Sequence, residues 1–378
     1  MRRDALTKEK REYSLDFMRG VAALLVLFSH ATIAGLYKVE PIWGIVKWSP
    51  LKILWSGHQA VILFFVLSGF ALTKMWGAIG YPRYDAYIAS RVIRLYLPYI
   101  ASLALAVLVY AILRHWFSWE NGWMGLPNPI LGNNVNIGGH LAMIGVFNPA
   151  EINPPIWSII HEMRISIVFP VIYYIVKRVG WFTVPIFSAL SLVVAWSISG
   201  PIPLTPLDAE LLISLHYVTF FAAGSLIAFN QHRIEDVFSA LHGRKRLALW
   251  IAAAMAYAYP FDNPWSLSLR MIGDLGTGIG SFVMICLMLH SKEGAWASRR
   301  RFLGKISFSF YLNHVLALNI CLLAFYDRYG SLSIWLTSVP LALGISWAIY
   351  VMVERPAIRL SRLMRTSILG KARQTAAA

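Results

Sequence analysis

Long apolar runs alternate with short polar connections along nearly the whole chain. Runs that approach the roughly 20 mainly apolar residues needed to cross a bilayer fall at 19–37, 58–78, 95–114, 157–177, 182–199, 211–229, 247–261, 271–290, 306–326 and 333–353. Each predicts a helix, because lipid offers no partner to backbone N–H and C=O groups and a helix satisfies its own. A shorter apolar piece at 138–148, bounded by Gly138, Gly139 and Pro149, is too short to cross and predicts a re-entrant or interfacial segment. The expected fold class is all-α: a polytopic membrane bundle of about ten transmembrane helices forming one domain over 1–378, with basic tails at 1–18 and 355–378.

Composition strengthens this picture. With 58% hydrophobic and 14% charged residues and a mean hydropathy of +0.59, the chain fits no ordinary soluble mixture. The net charge of +16 would suit a nucleic acid, but its distribution follows membrane topology instead. Arg2, Arg3, Lys8, Lys10 and Arg11 precede the first span, and Arg244, Lys245 and Arg246 cluster in one later connection. Arg299, Arg300 and Arg301 cluster in another, and Arg355, Arg359, Arg362 and Arg365 follow the last span. These connections lie on one side if the amino terminus is cytoplasmic, as the positive-inside rule requires. Both termini are then expected in the cytoplasm, no nucleic-acid partner is needed, and the tail after Arg355 is expected to rest on anionic membrane lipids.

The longest outer loop, Trp116 to Gly139, carries Trp116, Phe117, Trp119 and Trp123. These suit either sugar stacking or an interfacial aromatic belt. Cys286 and Cys321 fall inside apolar runs, so they predict packing rather than a disulfide or a metal site. The basic amino terminus resembles a signal peptide, but Arg19 opens the first span and no small-residue cleavage site follows, so an uncleaved helix is expected.

Ionisable groups within a span are costly and therefore candidates for function. The first span holds Arg19 and His30, eleven residues apart. That spacing is within about 20° of three full helical turns and advances about 16 Å, so both side chains share one face. Glu162 follows the break at Pro154 and Pro155, with Ser158 one turn earlier on its face and Trp157 beside it. Arg164 points elsewhere, and a structural ion pair with another helix is expected for it. The inner loop Tyr81 to Pro98 contains Arg83, Arg91 and Arg94; the last two are neighbours on a short helix, and paired guanidinium forks suit phosphate oxygens. Ser307, Tyr311 and His314 recur at i, i+4, i+7 and draw a polar stripe down an apolar helix. Gly276, Gly278 and Gly280 do not match a dinucleotide fingerprint; Gly276 and Gly280 predict close helix packing.

Taken in order, these blocks resemble the integral membrane acyltransferase family three, the group that includes bacterial O-acetyltransferases of surface polysaccharides. The resemblance rests on RGVAALLVLFSH from Arg19 to His30, FFVLSGF from Phe64 to Phe70, RVIRLYLP from Arg91 to Pro98, and PPIWSIIHE from Pro154 to Glu162. GKISFSFYLNH from Gly304 to His314 and the closing Glu354, Arg355, Pro356 complete it. It implies acyl-CoA, most simply acetyl-CoA, as a donor substrate with no permanently bound cofactor, contacts from the loop arginines to the CoA phosphates, and a role for the Arg19 and His30 pair in transfer. The expected setting is a bacterial inner membrane, and the expected acceptor is a hydroxyl of a carbohydrate or lipid-linked glycan. On this reading His30 and Glu162 are catalytic, Arg19, Arg91 and Arg94 hold the donor, and Trp157, Ser158, Tyr311 and His314 line the acceptor side. A neutral imidazole suits a general base, since its unperturbed pKa lies nearest physiological pH. The rival is a multi-span transporter of a small polar or glycan-related solute, although paired broken helices in two repeated halves are not evident.

Overall fold

The protein is represented by a computed structural model that describes residues 13–35, 49–78, 83–113, 115, 135–199, 205–258, 267–289 and 297–377. The aromatic cluster at Trp116, Phe117, Trp119 and Trp123 lies outside the described residues. Among those described there is no strand, and the described part of each of the ten apolar runs is helical. The helices are α1 (Tyr13–Gly35), α2 (Gly57–Gly77), α3 (Tyr84–Leu113), α4 (Ile137–Ala142), α5 (Trp157–Val179), α6 (Thr183–Ser199) and α7 (Pro206–Phe229). They continue as α8 (Gln231–Ser239), α9 (Gly243–Ala258), α10 (Leu267–Leu289), α11 (Ala297–Cys321), α12 (Asp327–Ile349) and α13 (Arg355–Ala377).

Eight helical stretches among the described residues are long and apolar enough to cross a membrane. The difference from ten has two sources. α5 and α6 form one stretch, interrupted where Gly180 adopts a φ of 63°, and the run at 247–261 yields in α9 a helix of only 16 residues. The protein is a multi-pass membrane protein whose polarity is arranged for lipid: Trp196 and Phe182 are 75% and 74% exposed, while His216, Asn313, His314 and Ser309 are fully buried. Apolar side chains on the rim and hydrogen-bonded polar groups inside are what a hydrocarbon solvent selects.

Two pairings organise the interior. α2 crosses α7 at the centre, and α1 lies along α11. Small residues permit both approaches, since helices in lipid associate by close packing rather than by the hydrophobic effect. A Cβ on Gly224 would lie 1.9 Å from the Val66 carbonyl oxygen, and one on Gly69 2.1 Å from that of Phe221. Between α1 and α11, a Cβ on Gly20 would meet Leu303 at 2.6 Å and one on Gly304 would meet Asp16 at 2.6 Å. Gly280 does pack closely, since a Cβ there would lie 2.6 Å from the Ala253 carbonyl oxygen of α9, whereas one on Gly276 would have room at 3.9 Å from that of Ala256. Gly224→Ala is expected to force α2 and α7 apart and to lower stability by about 1–3 kcal/mol or more. The check is the apparent melting temperature of purified protein in detergent, with Gly276→Ala as the near-neutral control.

The short apolar segment begins as the six-residue helix α4. Asn136 caps α4, its Oδ1 accepting from Gly139 N–H at 2.8 Å. The exposed carbonyls at the end of α4 are taken up by α3: Tyr96 donates to Leu141 O at 2.7 Å and Tyr99 to His140 O at 2.8 Å. Arg164 completes the clamp by donating to Ile144 O, to Gly145 O and to Glu210 of α7 at 2.9 Å. It is the structural interhelical pair predicted for it.

Candidate active site

Within the expected loop Tyr81 to Pro98, the residues described, from 83 on, are not a loop. From Tyr84 the chain is one continuous helix through Pro98 to Leu113, which carries Arg91 and Arg94 into the bundle. Arg83, at its mouth, is engaged by Asp85 at the surface. Arg91 is buried and donates to Glu162 Oε1 at 2.7 Å and to Ser166 Oγ at 3.1 Å. The same carboxylate oxygen accepts from Ser68 at 3.2 Å. Arg91 and Arg94 therefore do not present two equivalent forks. Arg94 is exposed and lies within electrostatic range of Arg91, Arg19, Glu354 and Glu162. Glu354, which is within that range, is fixed by Ser309, whose backbone N–H donates at 3.2 Å and whose hydroxyl donates at 2.5 Å. A widened helical turn at Tyr350–Glu354 places it there.

Arg19 reaches the same region from α1. It pairs with Asp16 at 3.0 Å and donates to the Leu67 carbonyl at 3.1 Å. Three successive residues of the FFVLSGF block thus serve separate ends: Leu67 takes Arg19, Ser68 holds Glu162, and Gly69 admits α7.

His30 lies five residues before the end of α1 at Gly35. Its Nδ1 is 2.8 Å from the Val26 carbonyl oxygen. Opposite it on α11 stands His314, with ring centroids 5.0 Å apart and the rings edge to face. The Nδ1 of His314 is 2.7 Å from the Tyr311 carbonyl, and its Nε2 is 3.4 Å from Nδ1 of His30. A carbonyl only accepts, so in each neutral ring Nδ1 carries the proton and Nε2 the lone pair. The lone pair of His314 then faces the Nδ1–H of His30, and the basic atom of His30 is its Nε2. A proton arriving at that atom makes an imidazolium backed by two acceptors, Val26 O and His314 Nε2, which is the arrangement a general base needs.

One helix bundle thus holds a base with an oriented lone pair and a group of arginines, Arg19, Arg91 and Arg94. A family model described as an acyltransferase domain matches residues 12–351. The chain belongs to acyltransferase family 3. No curated protein and no solved structure matches it. As a member of this family the protein is a membrane acyltransferase.

The remaining candidates of the acyltransferase separate in space. The Ser158 hydroxyl is 2.7 Å from that of Tyr311, which in turn donates to Pro155 O at 3.0 Å. The loop closes on itself and fixes the start of α5 against α11, leaving Ser158 no hydrogen bond to a base. Trp157, half-buried, stacks on His58. His161 engages Ser214 at 2.8 Å and belongs to the Arg164 clamp. Glu162 does not hold the His30 ring: its partners are Ser68 and Arg91, and the orienting side chain for His30 is His314. The interior also contains polar residues that the sequence reading passed over, Ser68, Ser309 and Asp274 among them. For Asp274 a usable signal existed, since a lone carboxylate in an apolar run is costly on the same grounds that singled out His30.

Proposed function

We propose that this acyltransferase is an O-acyltransferase, and specifically an O-acetyltransferase, of a bacterial inner membrane. It takes the acyl group from cytoplasmic acyl-CoA and transfers it to a hydroxyl of a carbohydrate or lipid-linked glycan. The oriented Nε2 of His30 is the observation that carries this reading. An alcohol is a poor nucleophile at neutral pH. As its oxygen attacks the thioester carbonyl, the proton passes to Nε2 of His30, the C–O bond forms, the C–S bond breaks, and the proton moves on to the departing thiolate. Arg94, with Arg19 behind it, is the accessible cation for the donor's phosphates, while Arg91 holds Glu162 in place. The basic connections support an orientation with both termini cytoplasmic and the donor entering from that side.

The test is made on purified protein in detergent supplied with acetyl-CoA, following release of the free thiol and, with membranes as acceptor, the mass of the envelope glycan. Binding, slow hydrolysis and an added acetyl mass are the expected results. Neither binding nor turnover would overturn the proposal and favour transport of a small solute. Arg94→Lys keeps the charge but loses the planar fork, and is expected to raise the apparent KM for acetyl-CoA about ten-fold. An unchanged KM would remove Arg94 from the donor site.

A further inference from the structure

Arg270 stands in the first turn of α10, one span away from the basic cluster at 299–301 and so on the outer side in the orientation proposed above. A cation in that turn opposes the helix dipole, so the helix itself does not call for one. Leu269 and Ile272 of the same helix are exposed, whereas Asp274, one turn on from Arg270, is buried. The half-buried Arg270 therefore shares the inward face. It lies within electrostatic range of Tyr217 of α7, as do Asp274, Glu210 and Tyr311. Both carboxylates of this group are engaged elsewhere: Asp274 holds His58 at 2.7 Å and His216 at 3.2 Å, and Glu210 holds Arg164 at 2.9 Å. Arg19, Arg91 and Arg164 each pair with a carboxylate, but Arg270 makes no hydrogen bond or ion pair among the described residues.

Tyr217 supplies a second unused group. Its side chain is 6% exposed, and its hydroxyl makes no hydrogen bond among the described residues, although a hydroxyl at that depth is costly unless something bonds it. Its ring is held between His161 at 5.1 Å and Trp157 at 5.9 Å, so the hydroxyl is fixed in place. Trp157, itself half-buried, adds an aromatic face. A guanidinium fork, a hydroxyl donor and an aromatic face together suit an anionic sugar. The group adjoins the base: Tyr311 belongs to it and through its carbonyl orients His314 against His30. An acceptor that carries a charge to this depth loses its water and needs a counter-charge there. Arg270 is the cation placed to supply it.

We propose that Arg270, with Tyr217 and Trp157, forms an acceptor subsite that binds an oxyanion, a phosphate or a carboxylate, carried by the glycan that is acylated. The inference rests on the acyl-transfer reading above. The test uses purified full-length protein, radiolabelled acetyl-CoA, and acceptor supplied as membranes from source cells lacking the gene. Arg270→Gln removes the charge and is expected to raise the apparent KM for acceptor membranes roughly ten-fold. The KM for acetyl-CoA and its hydrolysis without acceptor remain unchanged. Arg270→Lys keeps the charge and restores part of the loss. Tyr217→Phe removes only the hydroxyl and raises the same KM roughly three-fold. With the wild-type protein, glucose 1-phosphate and glucuronate are expected to inhibit transfer more strongly than uncharged methyl glucoside, and the stronger of the two identifies the oxyanion. That measurement decides the matter even if the variants do not accumulate. An unchanged acceptor KM in Arg270→Gln overturns the subsite, as does equal inhibition by charged and neutral sugars. An equal fall in hydrolysis and transfer overturns it as well, marking Arg270 as a residue that only holds the fold. A wild-type protein that neither hydrolyses acetyl-CoA nor transfers its acetyl group would overturn the acyl-transfer reading itself.

Discussion

His30→Ala is expected to lose acyl transfer by on the order of 10²-fold or more while acetyl-CoA binding and membrane insertion persist, the loss typical of removing a general base. The side chain is half-buried and its described partners are one carbonyl and one ring, so its removal leaves no buried charge behind. The effect should therefore fall on turnover rather than on stability. His314→Ala is expected to fall short of that loss, because it removes the acceptor behind the His30 ring but leaves the Val26 carbonyl to hold the tautomer. Single-turnover transfer in detergent, compared with acetyl-CoA binding by the same preparations, separates the two. Near-original transfer by His30→Ala would defeat the assignment and make His314 the next base to test.

The second large effect is on stability. Arg91→Met is expected to cost about 3–5 kcal/mol, because it leaves the Glu162 carboxylate desolvated and short of its charged partner. The two side chains are only 7% and 15% exposed, so water offers little relief. Adding Glu162→Gln removes the orphaned charge and should recover most of the apparent melting temperature. If Glu162 serves only to pair with Arg91, activity returns together with stability. If Glu162 also acts on the reaction, as the sequence suggests, the double variant is stable and inactive. Thermal unfolding in detergent beside acetyl-CoA turnover reads both. A single Arg91→Met variant as stable as the wild type would show that the pair contributes nothing.

Much of the architecture was legible without coordinates. In lipid every backbone polar group must be satisfied within a helix, so apolar run length alone located the ten helical segments and the short piece at 138–148 that does not cross. The break of α5 at Pro154 and Pro155, the polar stripe of Ser307, Tyr311 and His314, and the structural role of Arg164 followed from spacing and cost. The six ordered blocks pointed to the family that the match over residues 12–351 then established.

Run length could not reveal that α3 begins at Tyr84 rather than near Leu95. Arg91 and Arg94 break the apolar pattern, and only a partner on another helix makes buried arginine tolerable in a span. That partner, Glu162, lies 71 residues away. The spacing of Arg91 and Arg94 placed them on one face but not which would be spent on a carboxylate and which left accessible. The tertiary structure also set His314 against His30 across 284 residues and His58 against Asp274 across 216. The sequence by itself determined the helices, their membrane-spanning character and the family, because solvent and backbone chemistry act locally along the chain. Which imidazole faces which acceptor, and so which nitrogen is basic, was decided only by packing, because hydrogen-bond partners on different helices leave no periodic trace in either one.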